Sequence, residues 1–369
     1  MPSTPDRGQE EVAQLLADRL DAAGFGVKIY PGPTNNTNVV ARIGPPEAAS
    51  LCLSAHLDTV PVVEADWTED PFGGRVADDR LWGRGSSDMK AGAAAIVHAA
   101  TSYAQENPRN PTPLSLILTA EEELGCLGAA RVAEDPSVLP AVDALVIAEP
   151  TSNRPLLGHR GAVWLDVIAH GRSCHASTPQ LGDNAIDKLT RCLEIVHRWA
   201  DEHPSDHDVL GARTLSVGRI EGGVLRNVVP DRATAQLDFR ICDAAEVSGL
   251  SEALRAELAD LGEVDDVVLL SPVFCPETDP FVRQTLDLAG SSIDGLADHE
   301  KAARFITDAC VLTPALGSPS TVIWGPGSAD LAHVVDEWCS VPEIVDATRM
   351  YAELIERRTA ADERQSTSA

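Results

Sequence analysis

Positive charge is scarce in this sequence relative to negative. It sets 29 lysines and arginines against 57 aspartates and glutamates, a formal net charge of −28 over 369 residues. Phosphates and anionic lipid headgroups need a basic face, so this balance argues against nucleic acid or a membrane surface as partner. Aromatic residues are scarce as well, at 4%, which leaves the packing to aliphatic side chains and alanine. No apolar run approaches the ~20 residues that span a bilayer, and residues 1–11 are polar and contain no apolar signal core. The eight cysteines include no Cys-x-x-Cys pair, and most sit in apolar runs such as Leu51-Cys52-Leu53. They read as buried free thiols of a reducing compartment rather than a disulfide framework, and a cytoplasmic location is the expectation.

What is present is ordinary globular material, 44% hydrophobic and 23% charged, over a length that favours two domains. Residues 9–23 predict a helix with Val12, Leu15, Leu16, Leu20 and Ala23 on one face and Gly24 as the stop. Strand signals follow at 27–30, 38–43 and 51–55, then a Gly/Asp-rich loop at 71–88 and an Ala-rich helix from about 90 to 104. Strands at 114–119 and 144–148 flank a helix near 128–134. Apolar strands alternating with helices predict an α/β domain on a largely parallel, buried sheet.

After Gly161 the texture changes. A strand at 163–169 is followed by a helix at 184–200 with Ile186, Leu189, Leu193 and Val196 inward. Strands at 214–220 and 228–241, a helix at 247–261 and a strand at 267–270 complete the order β-α-β-β-α-β. That order predicts two helices on an antiparallel sheet, an α+β domain inserted into the first. We expect the first domain to comprise residues 1–161 and 274–369 and the insertion residues 162–273, with a last helix at 341–357 and a polar tail from 359 lying outside folded elements.

The chemistry-bearing residues follow the strands. Strand 51–55 runs into His56-Leu57-Asp58-Thr59-Val60-Pro61, strand 114–119 into Glu121-Glu122-Glu123, and strand 144–148 into Glu149-Pro150-Thr151. The loop Gly83-Arg84-Gly85-Ser86-Ser87-Asp88-Met89-Lys90 adds a carboxylate at a helix start. In open parallel sheets such loops converge at the carboxyl edge, where ligands bind. Carboxylates crowded there take up protons or need a cation. Mixed imidazole and carboxylate ligands suit zinc, with cobalt or manganese compatible. Two metals ~3.5–4 Å apart would need about five protein ligands. His56, Asp88, Glu123, Glu149 and a second histidine meet that number, the best placed being His333 in Gly325-Pro326-Gly327-Ser328-Ala329-Asp330-Leu331-Ala332-His333. Its rivals are His98, inside the Ala-rich helix, and His299, in a loop without flanking glycines. Glu122 is then a spare carboxylate beside the metals, which is what a general base requires.

With these segments assembled, the chain resembles the amidohydrolase family that includes acetylornithine deacetylase, succinyl-diaminopimelate desuccinylase and glutamate carboxypeptidase. The segments that match are Ser54 to Pro61, Gly83 to Lys90, Thr119 to Gly125, Glu149 to Ser152 and Gly325 to His333, in the family's order and across nearly the whole chain. The resemblance implies a zinc-peptidase-like α/β catalytic domain with an inserted lid and dimerisation domain. It implies that Asp88 bridges two metals, that His56 and Glu149 complete one site, and that Glu123 and His333 complete the other. Asp58 would orient His56, and Glu122 would take a proton from the attacking water and pass it to the leaving amine. His175, in Gly171-Arg172-Ser173-Cys174-His175-Ala176-Ser177, would steady the oxyanion in the site of a second copy. Asn227 and Arg240 would hold the substrate carboxylate. The implied protein is a homodimer that hydrolyses the amide bond of an N-acyl amino acid. Glu121 departs from the pattern, since aspartate is common there in relatives.

Each residue also has a plainer reading. His56 would be a satisfied strand-end histidine, residues 121–123 a solvated helix start, Asp88 a helix cap and His175 a surface histidine. Asn227 and Arg240 would cap and pair within the insertion. Two other functions stay open, a metallo-carboxypeptidase or dipeptidase using the same residues, and a metal-binding regulatory protein without catalysis.

Overall fold

The fold comes from a computed structural model that describes residues 1–109, 111–293, 295–297 and 300–366. The chain opens with α1 (Glu10–Ala22), β1 (Gly26–Pro31), β2 (Thr37–Ile43) and β3 (Ser50–His56). Next come β4 (Arg75–Ala77), β5 (Arg80–Trp82), α2 (Ala91–Glu106), β6 (Leu114–Thr119), α3 (Leu127–Ala133), β7 (Val142–Ile147) and β8 (Gly158–His159). The insertion holds β9 (Gly161–His170), α4 (Ala185–Glu202), β10 (Thr214–Gly222), β11 (Arg232–Ile241), α5 (Glu246–Leu258) and β12 (Glu263–Leu270). The chain ends with β13 (Val273–Phe274), α6 (Pro280–Leu288), α7 (Ala309–Ala315), β14 (Ser320–Ile323), β15 (Trp338–Ser340) and α8 (Val341–Ser366). It divides into two compact units, the first of Met1–Gly158, Val273–Leu296 and Thr307–Ala369, the second of His159–Pro272 with Ala297–Ile306. Among the described residues no helix is long and apolar enough to cross a membrane.

The first unit is built on a six-stranded sheet of order β1-β2-β6-β3-β7-β14. β6, β3, β7 and β14 are mutually parallel, while β2 and β1 continue the sheet antiparallel. Every residue of β3 and β6 is buried. Their unbroken apolar sequences fit a strand covered on both faces, with α2 packing against β3 and α8. The predicted loop at 71–88 proves partly structured: β4 and β5 form a hairpin, and β15 joins them in a three-stranded sheet. Asp78 and Asp79 make its two-residue turn with φ of 51° and 57°. That conformation usually carries glycine or asparagine, which hid the hairpin in the sequence.

The second unit has the order β-α-β-β-α-β and one antiparallel sheet of order β10-β11-β9-β12. Its core is aliphatic, with Leu189 and Val196 of α4 and Leu250, Leu254 and Leu258 of α5 set against Val163, Leu165, Leu237 and Phe239. Ile186, expected inward, is 39% exposed, and Cys192 takes a core place on α4. Leu15 of α1 is likewise 43% exposed, and the smaller Ala13 and Ala17 are buried beside Leu20. β11 begins at Arg232 rather than 228 because Pro230 has no N–H for a ladder; the preceding residues pair instead with the segment around His175. The final helix continues past the expected end at 357 to Ser366, so much of the supposed tail is helical; residues 367–369 lie outside the described residues. Seven of the eight free cysteines are buried, Cys174 being the half-buried exception.

Candidate metal centre

Strand register brings the site together. β3 ends on His56, and its two parallel neighbours finish at the same level, with His56 opposite Thr119 of β6 and Ser54 opposite Ile147 of β7. The loop with Glu122 and Glu123 therefore leaves the sheet on one side of His56, and Glu149 leaves it on the other. β14 pairs with β7 through Ile323 and Ile147 and feeds the glycine-rich loop that ends at His333. Four loops thus share one carboxyl edge of a parallel sheet, where side chains are free to converge.

Asp88 lies at the centre. Its Oδ1 is 3.0 Å from His56 Nε2, and its Oδ2 is 3.4 Å from His333 Nε2. Glu149 Oε1 stands 3.9 Å from His56 Nε2, and Glu123 Oε2 2.9 Å from His333 Nε2. One carboxylate thus faces two imidazoles, each with a glutamate of its own. Ligand atoms of His56, Asp88 and Glu123 all fall within 4.8 Å of one another, the one such group of three among the described residues. His56 Nδ1 lies 3.1 Å from the Asp58 carbonyl and 3.4 Å from Asp58 Oδ1. With an Nδ1–H donated there, Nε2 turns its lone pair to the cluster.

The electrostatics describe a place for a cation. Burial works against a charged His56, yet Asp58, Asp88 and Glu149 outweigh it and push the imidazole well above its usual range. Asp88 and then Glu123 raise His333 to about 10. Burial opposes ionisation of Asp88, but His333 and His56 hold it below the ordinary carboxylate range. Glu149 is pushed well up, chiefly by burial and then by the carboxylates around it. The residues therefore fit a divalent pair: nitrogen and carboxylate donors only, a strongly negative potential, and a central carboxylate with one oxygen for each half. Glu122 is half-buried and is also driven well up, first by burial and then by Glu149, Asp308 and Glu123 against the opposing pull of His56. A carboxyl group so placed is suited to accept a proton and to return it.

Several contributors were not evident in the sequence. Asp58 does more than face His56: Oδ1 accepts the Glu122 N–H at 3.1 Å and Oδ2 the Glu123 N–H at 3.1 Å, which ties the loop after β6 to the end of β3. Glu121 turns away, accepting from Asn36 Nδ2 at 2.5 Å and pairing with Arg131. Asp308, 2% exposed, stands behind Glu122, hydrogen-bonded by Thr119 and raised to about 6, mainly by burial. Glu337 is wholly buried against Arg84 and the loop that carries Asp88. A signal for it did exist, because an arginine in a glycine-rich loop beside metal ligands calls for a buried anion. Of the rival histidines, His98 is exposed on α2 and His299 lies outside the described residues.

The other predicted residues belong to the second unit. His175 and Val228 form a bridge, and the Asn227 carbonyl accepts the Ala176 N–H at 3.0 Å, so His175 and Asn227 sit on paired segments. His175 is exposed, and its Nδ1 accepts the Ser177 N–H at 3.1 Å, which leaves the proton of the neutral ring on Nε2. Arg240, near the end of β11, is bound to Asp238 through Nε at 2.9 Å and Nη2 at 3.0 Å. Arg240 thus has a resident partner, as its plainer reading of pairing within the insertion expected.

The chain as a whole is similar to known proteins. The model of peptidase family M20/M25/M40 matches residues 52–357. The chain is 29% identical over 348 residues to acetylornithine deacetylase of Aliivibrio fischeri, covering 91% of this chain and 88% of that protein. It is 30% identical over 355 residues to succinyl-diaminopimelate desuccinylase of Rhodospirillum centenum, covering 90% and 87%. Among solved structures, the M20 family metallo-carboxypeptidase Sso-CP2 of Sulfolobus solfataricus superposes with a TM-score of 0.73 at 18% identity, over 95% of this chain and 94% of that one.

Proposed function

Because the chain belongs to peptidase family M20/M25/M40 and is thus a metal-dependent hydrolase of amide or peptide bonds, we propose that it deacylates a small N-acyl amino acid of the acetylornithine or succinyl-diaminopimelate type. The observation that carries the reading is the division of Asp88 between His56 and His333, at 3.0 and 3.4 Å. Two divalent ions, zinc by donor chemistry with cobalt(II) or manganese(II) compatible, would be held by His56, Asp88 and Glu149 and by Asp88, Glu123 and His333. Bound there, they would acidify a water and polarise the scissile carbonyl.

The chain's own groups do the rest. Glu122 takes the proton of the attacking water and hands it to the leaving amine nitrogen, a shuttle that its raised pKa supports. Asp58 keeps Glu122 in place through the backbone N–H groups of the 122–123 loop. His175 donates Nε2–H to the developing oxyanion. Asn227 and Arg240 receive the carboxylate of the amino-acid half, Arg240 through Nη1, which is not part of its pair with Asp238. The second unit also makes a homodimer that presents His175 to the other copy. Support for this comes from β10, an edge strand, and from exposed Val224 and Leu225, which with Ile186, Pro179 and Pro230 line a groove of about 540 Å³.

Glu122→Ala should retain about two equivalents of metal while turnover falls by roughly 10²–10⁴-fold. Unchanged turnover would remove Glu122 from the role of base, and activity that survives a chelator would remove metal from the chemistry. A panel of N-acyl amino acids and dipeptides fixes the substrate class. Turnover confined to dipeptides would replace the deacylase with a peptidase acting through the same residues.

A further inference from the structure

We propose that Glu337 is a positioning residue for the metal centre, its carboxylate holding the backbone at residues 85–88 so that the two oxygens of Asp88 face different histidines. The inference rests on the reading of Asp88 and His333 as ligands. Glu337 is 0% exposed. Its Oε2 accepts from Arg84 Nη1 at 2.6 Å and from the Gly85 N–H at 3.0 Å. Its Oε1 accepts from the Ser87 N–H at 2.7 Å and from the Asp88 N–H at 3.0 Å. The main chain adds a further grip, with the Gly83 N–H donating to the Glu337 carbonyl at 2.9 Å. Arg84 Nη2 then reaches the Val334 carbonyl at 3.1 Å, next to His333. One carboxylate therefore joins the segment bearing Asp88 to the segment bearing His333.

Only an anion with two acceptor oxygens meets this arrangement. Four donors converge on Glu337, and an amide of the same shape would turn an NH2 group toward two of them. Gly83 and Gly85 have φ of 147° and 82°, so the loop has conformational freedom that the carboxylate must remove. The halves of the centre also depend on Glu337 unequally. His56 and Glu149 stand at the ends of β3 and β7, which need no help from it. Asp88 and His333 come from the loops it clasps. A second link between those loops, Ser328 N–H to Ser87 Oγ at 2.9 Å, does not involve Glu337 and favours survival of the fold without its charge.

The test is a cobalt(II) titration of the full chain, followed by calorimetry and by the visible d–d spectrum, for wild type, Glu337→Gln and Asp88→Asn. The expected result is that E337Q, with native circular dichroism, binds the first equivalent with a small loss, since only Asp88 of that half depends on Glu337, and the second about 10–100-fold more weakly. Two equivalents bound by E337Q with wild-type affinities, or an equal loss of both, would overturn the proposal. Wild-type binding by D88N would instead remove the ligand set beneath it. Loss in D88N beside wild-type binding in E337Q would overturn the role of Glu337 alone. Should E337Q fail to fold, Glu337→Asp is read by the same titration, since it keeps the charge opposite Arg84 but withdraws the oxygens from the loop.

Discussion

Burial alone does not decide what a histidine does in this protein; its neighbours do. His56 and His159 are both buried, at 2% and 0% exposure. His56 is surrounded by carboxylates and is driven up, whereas His159 has the Arg160 carbonyl on Nδ1 at 2.8 Å and is driven down to about 4, chiefly by burial. The sign for stability follows directly. An unfolded histidine titrates near 6.5, so below that pH the unfolded chain takes up a proton that folded His159 refuses. Its contribution is complete above about pH 6.5 and is lost as pH falls toward 4. The loss amounts to roughly 3 kcal/mol over that window. Thermal melts of the wild type and of His159→Gln between those pH values check this, and the variant should show the shallower decline. Equal slopes would place the acid sensitivity elsewhere.

At the scale of elements, close backbone approach places Glu149. A Cβ on Gly92, in the first turn of α2, would lie 2.0 Å from the Ala148 carbonyl oxygen, and one on Gly325 would lie 2.4 Å from the same atom. The last residue before Glu149 is therefore clasped from two directions by glycines. Glycine to alanine inside a helix ordinarily stabilises by about 1 kcal/mol. At position 92 the sign should reverse, because the neighbour is rigid backbone rather than a yielding side chain. Overpacking of this kind costs roughly 1–3 kcal/mol. Gly92→Ala should lower the melting temperature and weaken metal binding together, and a variant more stable than wild type would disprove the clasp. The sequence made the buried strands legible because burial on both faces writes continuous apolar runs, and it made His56, Glu122, Glu123 and Glu149 legible because they follow those runs closely. Position 92 looked like one more small residue in an Ala-rich helix. Glu337 was only partly legible, since Arg84 called for a buried anion but its other partners are backbone N–H groups about 250 residues away in sequence, a contact no local period marks. Ile186 was misread for a related reason. It lies on the apolar stripe of α4, but Cys192 and Ala185 fill the core beside Leu189.

For the whole molecule, the proposed dimer can be tested by asking which copy would supply His175 to which site. The insertion has β10 as an edge strand of its sheet, and Val224 and Leu225 are 83% and 67% exposed. If the second unit dimerises and donates His175 across the interface, single-site variants must complement one another. A dimer of Glu122→Ala with His175→Ala then has one site with neither group and one with both. Random mixing makes half the dimers hybrid, and each hybrid has one competent site of two, so about one quarter of wild-type turnover should return. Each variant alone should stay low, His175→Ala by roughly 10²–10³-fold for the loss of an oxyanion donor. If His175 served its own chain, every site in the hybrid would carry one lesion and mixing would restore nothing. Metal content should not change in His175→Ala, which separates this defect from damage at Asp88 or Glu337. The pair of substitutions Val224→Asp and Leu225→Asp closes the argument. It should shift the sedimenting species from a dimer to a single 39.1 kDa chain and abolish the complementation while leaving His56, Asp88, Glu123, Glu149 and His333 untouched.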